Sequence, residues 1–94
     1  MRDSEKESWR VFFRRKVERR AMKMPRPQQV LLANLVEDLQ NKGPIRMEWP
    51  NFSKLSENEY HCHLSHSWVA CWRVYEETVE IEVYYAGSRE KAPY

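Results

Sequence analysis

Three histidines, two cysteines and two tryptophans fall within fifteen consecutive positions, "YHCHLSHSWVACWRV", residues 60–74. Such residues could ligate a metal, exchange thiols for a disulfide, or move protons through imidazole. Which of these applies depends on which side chains share a face. Read as strands with a period of two, Tyr60, Cys62 and Leu64 point one way and His61, His63 and Ser65 the other. A turn at Ser65–Ser67 brings the chain back with Trp68, Ala70, Trp72 and Val74 on the apolar side. Antiparallel counting then pairs Cys62 with Ala70, His61 with Cys71, and His63 with Val69.

On that count Cys62 and Cys71 lie on opposite faces, a poor geometry for a disulfide, and read as small buried hydrophobes. His61, Cys62 and His63 cannot all reach one metal, because the middle side chain points away. The four-ligand spacings of structural zinc sites are missing as well, so neither a metal nor another cofactor is expected. What remains is His61 and His63 side by side on one strand, roughly 7 Å apart by strand rise. Imidazole titrates near neutrality and can take or give a proton there. His66 falls in the turn and reads as solvated. Arg73 counts opposite Glu80, most simply as a cross-strand ion pair.

A third strand, with Val79, Ile81, Val83 and Tyr85 on the apolar side, completes a meander. Its second face is expected to be open, carrying His61, His63, Val69, Cys71, Arg73, Glu80, Glu82 and Tyr84. Upstream, "PQQVLLANLVEDLQNKG" sets Val30, Leu31, Leu35 and Leu39 on one helical face, widened by Leu32, Ala33 and Val36, with Gly43 as its end. "RRKVERRAMKM" reads as a preceding helix, broken by "MPRP" at 24–27, so residues 14–42 form a helical hairpin. "SWRVFF", residues 8–13, suits either a short strand or the opening of that helix. Between hairpin and meander, residues 49–59 are turn-rich, anchored by Trp49, Phe52 and Leu55.

Ninety-four residues with 41% hydrophobic content bound a single small domain, residues 1–94, rather than a disordered chain. No apolar run approaches membrane-spanning length and the opening run is too polar for an export signal, so a cytoplasmic protein with reduced thiols is expected. Charge is uneven. Residues 1–47 carry 12 Lys/Arg against 6 Asp/Glu, and residues 48–94 carry 4 against 8, giving +6 and −4. The densest basic run, Arg10 to Arg26, could attract phosphate backbones or an acidic partner.

The order of strand, helical hairpin, three-stranded meander and terminal "GSREKAPY" resembles the RelE/ParE toxin superfamily. More narrowly, "KGP", "WPNFSKL", "YHCHL", "VACW" and "YYAGSREKAPY" resemble the cytotoxic translational repressors of toxin–antitoxin systems. The resemblance implies an α+β fold: an N-terminal strand from residues 8–13 and a helical hairpin packed on a mostly antiparallel sheet of about four strands. It implies a metal-independent endoribonuclease acting on mRNA, possibly on the ribosome, and held by a cognate antitoxin. A gyrase-binding toxin of the ParE kind and an inactive antitoxin-binding module are the alternatives. Carried over position by position, the catalytic set falls on His61, His63, Arg89 and Tyr94. Lys54, Arg73 and Lys91 are candidate RNA contacts. An arginine that the family sets on the second meander strand falls on Val69, so one phosphate contact is missing, and Val69→Arg is expected to restore it.

Overall fold

The alternation that marks the C-terminal half as strand builds most of a five-stranded sheet in the computed structural model, which describes residues 8–94. The polar opening run, residues 1–7, lies outside the described residues. In chain order the elements are β1 (Arg10–Phe13), α1 (Arg15–Met22), α2 (Arg26–Lys42), β2 (Ser53–Ser56), β3 (Glu59–Ser65), β4 (Trp68–Tyr75) and β5 (Glu80–Ser88). The sheet order is β1-β5-β4-β3-β2. Only β1 runs parallel to its neighbour; the other pairs are antiparallel. This is an α+β fold with an N-terminal strand and a helical region packed on a mixed sheet.

Within residues 8–13, Arg10–Phe13 form the strand, held by contacts distant in sequence. The Trp9 amide donates to the Gln40 carbonyl and the Arg10 amide to the Val79 carbonyl, both at 3.0 Å. The expected hairpin is α1 and α2, parted near Pro25, while Pro27 is tolerated in the first turn of α2. Gly43 ends α2 at φ +91°, a backbone conformation that side chains resist. A Cβ there would also lie 3.1 Å from the Trp9 indole nitrogen.

Leu32, Leu35 and Leu39 of α2 pack on Cys62, Leu64, Ala70, Trp72, Val74, Ile81 and Val83 of the sheet. The buried face of α2 is rotated from the expected one, since Leu32 is buried while Val30 stays 49% exposed. Two indoles satisfy their N–H groups inside this layer. Trp72 donates to the Pro44 carbonyl at 3.1 Å and Trp49 to Asp38 at 2.9 Å.

The sheet departs from expectation in three places. First, it has five strands rather than about four, because the turn-rich segment contributes β2. "SKLS" has little strand character of its own; pairing Ser53 with His61 and Lys54 with Tyr60 makes it one. Second, the β4–β5 connection is longer than counted. Glu76–Thr78 form a 3-10 turn and Val79 takes a left-handed conformation, φ +56°. Arg73 therefore sits opposite Glu82, not Glu80, a shift of two that keeps the faces. Third, a bulge at Tyr84 pairs Cys71 with Tyr85, Ala70 with Ala86 and Val69 with Gly87. Tyr85 thereby leaves the helix side, where strict alternation puts it, and Ala86 enters the main core.

The face expected to be open is consequently half covered. Val69, Cys71 and Tyr85 form a second buried cluster, with Leu55, Tyr84 and Ala92 packed against it. Cys62 belongs to the first cluster and Cys71 to the second, on opposite sides of the sheet. Burial pushes each thiol up to about 12, so both stay protonated and unreactive at neutral pH. Among the described residues, no helix is long and apolar enough to cross a membrane.

Candidate functional site

His61 and His63 lie on the second face of β3, with ring centroids 5.8 Å apart. Their surroundings come from two segments that strand periodicity does not locate. The His63 amide donates to the Pro50 carbonyl at 2.8 Å, which pins the start of the β2 segment beside β3. Asn51 turns the chain at φ +56°, a conformation asparagine adopts more readily than most residues. Ser53 then arrives opposite His61 in the sheet register. Its hydroxyl oxygen lies 2.9 Å from His61 Nδ1.

The second segment is the chain after β5. The Arg89 amide donates to the Ser67 carbonyl at 2.8 Å, tying a 3-10 turn, Arg89–Lys91, to the end of the β3–β4 hairpin. The guanidinium reaches the His66 carbonyl at 3.5 Å. Ala92 caps the second cluster, and the Tyr94 ring comes to rest 4.4 Å from the His61 ring. The result is an open cleft of about 620 Å³, lined by Asn51, Phe52, Ser53, His61, His63, Arg89 and Tyr94. Four residues spread over 34 positions of sequence thus share one cavity.

The cleft sets the proton chemistry of its members. Burial holds the His61 pKa below its ordinary value, and the adjacent His63 adds to this against an opposing hydrogen bond that the ring donates to the Ser53 backbone. His63 is lowered too, by desolvation first and then by Arg89 and His66. Both imidazoles are therefore neutral at pH 7 and able to accept a proton. Partial burial raises the Tyr94 pKa, against the pull of Arg89, so the phenol keeps its proton at neutral pH. The cleft accordingly combines two neutral bases, a proton-bearing phenol and a fixed cation. Among the described residues, no three His, Cys, Asp or Glu side chains are grouped to hold a metal ion.

The remaining candidates do not line this cleft. Lys54 pairs with Tyr60, whose ring packs on the helix side, so its register puts it on the face away from His61. Lys91 is exposed on the 3-10 turn. Arg73 is bound in an ion network. It contacts Glu59 at 2.9 Å and Glu82 at 3.4 Å, and its guanidinium lies 4.2 Å from the Tyr84 ring centroid. Glu80, its expected partner, pairs instead with Arg10 at 3.4 Å. Two carboxylates already neutralise Arg73, which leaves no free charge for a phosphate.

Val69 has no exposed surface and lies beneath the C-terminal segment in the second cluster. An arginine there would be sealed from the cleft rather than added to it. Position 69 serves packing in this chain, which corrects the expectation that Val69→Arg restores a contact. Asn51, Phe52 and Ser53 were missed by sequence reasoning. Ser53 stands next to a helix-side lysine in a short polar strand, and only the β2–β3 register identifies it.

No protein-family model and no curated protein matches this sequence. Solved structures do resemble the fold. A chain of an archaeal RelE–RelB complex from Pyrococcus horikoshii superposes with a TM-score of 0.72 at 14% identity, covering 90% of this chain and 99% of that one. A doubly arginine-to-alanine substituted E. coli toxin RelE in the free state gives 0.72 at 15%, covering 90% and 87%. A chain of the YoeB–YefM complex from Staphylococcus aureus gives 0.67 at 10%, covering 84% and 94%. The chain has the RelE-like topology, at low sequence identity to each of these.

Proposed function

We propose that the protein is a toxin of a toxin–antitoxin pair and cleaves mRNA without a metal. The observation that carries this reading is the convergence of His61, His63, Arg89 and Tyr94 on one cleft. The RelE-like topology supports it, as does the fact that structural neighbours include an E. coli toxin RelE and a chain of a toxin–antitoxin complex from Mycobacterium tuberculosis. A histidine removes the proton from an RNA 2′-hydroxyl, and the freed oxygen attacks the adjacent phosphorus. The bond from phosphorus to the 5′-oxygen breaks, that oxygen takes a proton from Tyr94, and the products end in a cyclic phosphate and a 5′-hydroxyl. Arg89 neutralises the charge that builds on the phosphoryl oxygens.

His61 is the better base of the pair. If its Nδ1–H donates to the Ser53 oxygen, the lone pair on Nε2 is left to receive the proton. His63, more exposed and nearer the charge of Arg89, is suited to contact the phosphate or a flanking nucleotide. The partner is a cognate antitoxin with an acidic or amphipathic segment complementary to the basic N-terminal half. The cytoplasm is the compartment where such a protein meets translated mRNA.

The deciding experiment is induction of the protein in cells, followed by mapping of mRNA ends, with Arg89→Ala and His61→Ala/His63→Ala as controls. New 5′-hydroxyl ends that vanish in the variants are the expected result. Growth arrest with intact mRNA and inhibited gyrase would transfer the protein to the non-enzymatic reading.

A further inference from the structure

Helix α1 carries a feature that the cleft does not use. Lys16, Arg19, Arg20 and Lys23 follow the spacing i, i+3, i+4, i+7, which puts four cations on one helical face. All four are exposed and surround one depression of about 300 Å³. Among the described residues none has a carboxylate within 4.0 Å. The neighbouring face of α1 is separate: Glu18, Ala21 and Met22 turn toward α2 and line an apolar groove.

Such a stripe repels itself, since like charges three and four residues apart on a helix oppose one another. The helix dipole compensates Arg19 and Arg20 in the last turn and Lys23 at the C-cap, but not Lys16. Arg20 is also held in place. Its guanidinium lies 5.7 Å from the Tyr85 ring centroid, and its stem runs against Gly87. A Cβ at Gly87 would come within 3.2 Å of Arg20 Cδ and 2.9 Å of the Tyr85 hydroxyl. The missing side chain at Gly87 thus lets Arg20 lie across the end of β5, two residues before Arg89. The stripe thus reaches the strand that delivers Arg89, although its residues do not themselves line the cleft.

We infer that α1 is a second RNA site, an anchor for the phosphates of the strand whose scissile phosphate lies at Arg89. This inference rests on the RNA-cleaving reading for its substrate, though not for its binding. A row of cations without carboxylate partners among the described residues, passing Gly87 two residues before Arg89, fits a continuous polyanion better than a folded acidic surface. It also offers affinity to a cleft whose second-strand position is filled by Val69 instead of a cation.

The test uses the full chain and oligoribonucleotides made uncleavable by 2′-O-methyl groups, one of about four nucleotides and one of about twelve. Binding is titrated against salt for the wild type and for Lys16→Gln/Arg19→Gln/Lys23→Gln, whose exposed positions leave the core intact. The wild type should bind the long oligonucleotide more tightly than the short one. In the variant that advantage should fall at least tenfold, with the log–log salt slope shallower by roughly 2 for three lost phosphate contacts. Affinity for the short oligonucleotide should be unchanged. Gly87→Ala should reproduce part of the loss by displacing Arg20. Equal losses for both lengths, or an unchanged salt slope, would overturn the anchor. So would a variant that binds RNA normally but no longer retains an acidic protein partner. Length-dependent binding through α1 with no cleavage in any assay would instead leave the anchor standing and remove the nuclease reading.

Discussion

The two ends of the sheet's second face hold similar residue types in opposite states. At the β1 end, Glu82 is nearly sealed from solvent, 2% exposed, yet every polar contact it needs is present. Tyr75 donates to it at 2.7 Å, Arg14 at 2.9 Å and Arg73 at 3.4 Å. Burial alone would push its carboxyl up, but the hydrogen bonds from Tyr75 and Arg14 and the charges of Arg14 and Arg73 hold it below the ordinary range. At the other end, Arg89, His63 and Tyr94 surround an open cleft with few partners of their own. A closed network stabilises the fold, whereas groups left unsatisfied at a cavity are available to a ligand. Residue type alone does not separate the two: an arginine and a tyrosine occur in both.

The largest effect expected from this contrast is on stability at the closed end and in the cluster between. Glu82→Ala would leave Tyr75 without its acceptor and Arg73 with Glu59 alone, and should cost about 3 kcal/mol of unfolding free energy. Val69→Arg should be comparably damaging, because it buries an unpaired charge, and it should not raise activity. Denaturant unfolding measures both. Val69→Arg with wild-type stability and faster cleavage would show that position 69 opens to the cleft.

Next in size is a purely functional loss at the open end. Arg89→Ala should lower RNA cleavage by about 10²-fold or more, the scale for losing one preorganised charge-stabilising donor, while its unfolding curve stays that of the wild type. Loss of folded protein instead would class Arg89 with the structural network.

The pH dependence sharpens the assignment within the cleft. The base acts when neutral, so cleavage should rise with pH through a histidine pKa below 6.5. If Tyr94 is the acid, the rate should then stay level until the phenol ionises above 10. A narrow bell confined below 6.5 would make His63 the acid instead. The closed end has its own signature, of the carboxylate kind. Glu82 is depressed, so its contribution is present above the ordinary glutamate pKa of 4.5 and is lost as pH falls through the lower folded value. Wild-type stability should drop in that acid window, and Glu82→Gln should flatten the drop.

The smallest effect expected is at Ser53. Ser53→Ala should reduce cleavage only several-fold, on the order of one hydrogen bond, about 1 kcal/mol. It should also shift the His61 titration, measurable by NMR. Ser53→Thr should restore both, since the hydroxyl is kept. Unchanged His61 titration in Ser53→Ala would leave Ser53 as a strand residue only.

Much of the molecule is legible in local pattern because periodicity reports which side must be buried. The alternation through Tyr60–Leu64 and Trp68–Val74 located β3 and β4, and the pairing of His61, Cys62 and His63 follows from the short turn, although a register shift after His63 sets Ser65 opposite Trp68. Leu35 and Leu39 marked α2, and the breaks at Pro25 and Gly43 follow from backbone chemistry. His61 and His63 on a shared face needed nothing beyond the period of a strand.

Other features were decided by contacts between distant segments, to which local pattern is blind. Arg10–Phe13 became β1 because α2 and the residue before β5 offered hydrogen bonds to Trp9 and Arg10. The left-handed Val79 and the bulge at Tyr84 moved Arg73 to Glu82 and Tyr85 to the second face. One inserted residue reverses every side chain after it, so no count from the turn could anticipate Ala86 in the core. The cleft is the extreme case. Ser53 meets His61 only through the β2 register, and Arg89 and Tyr94 reach the histidines only because the Arg89 amide finds the Ser67 carbonyl and the chain folds back over Val69. Sequence alone determined which faces are apolar and which residues carry ionisable groups, since those are properties of side chains and short-range backbone geometry. Tertiary structure decided which ionisable groups are neutralised and which are left open, because that depends on partners delivered from elsewhere in the chain.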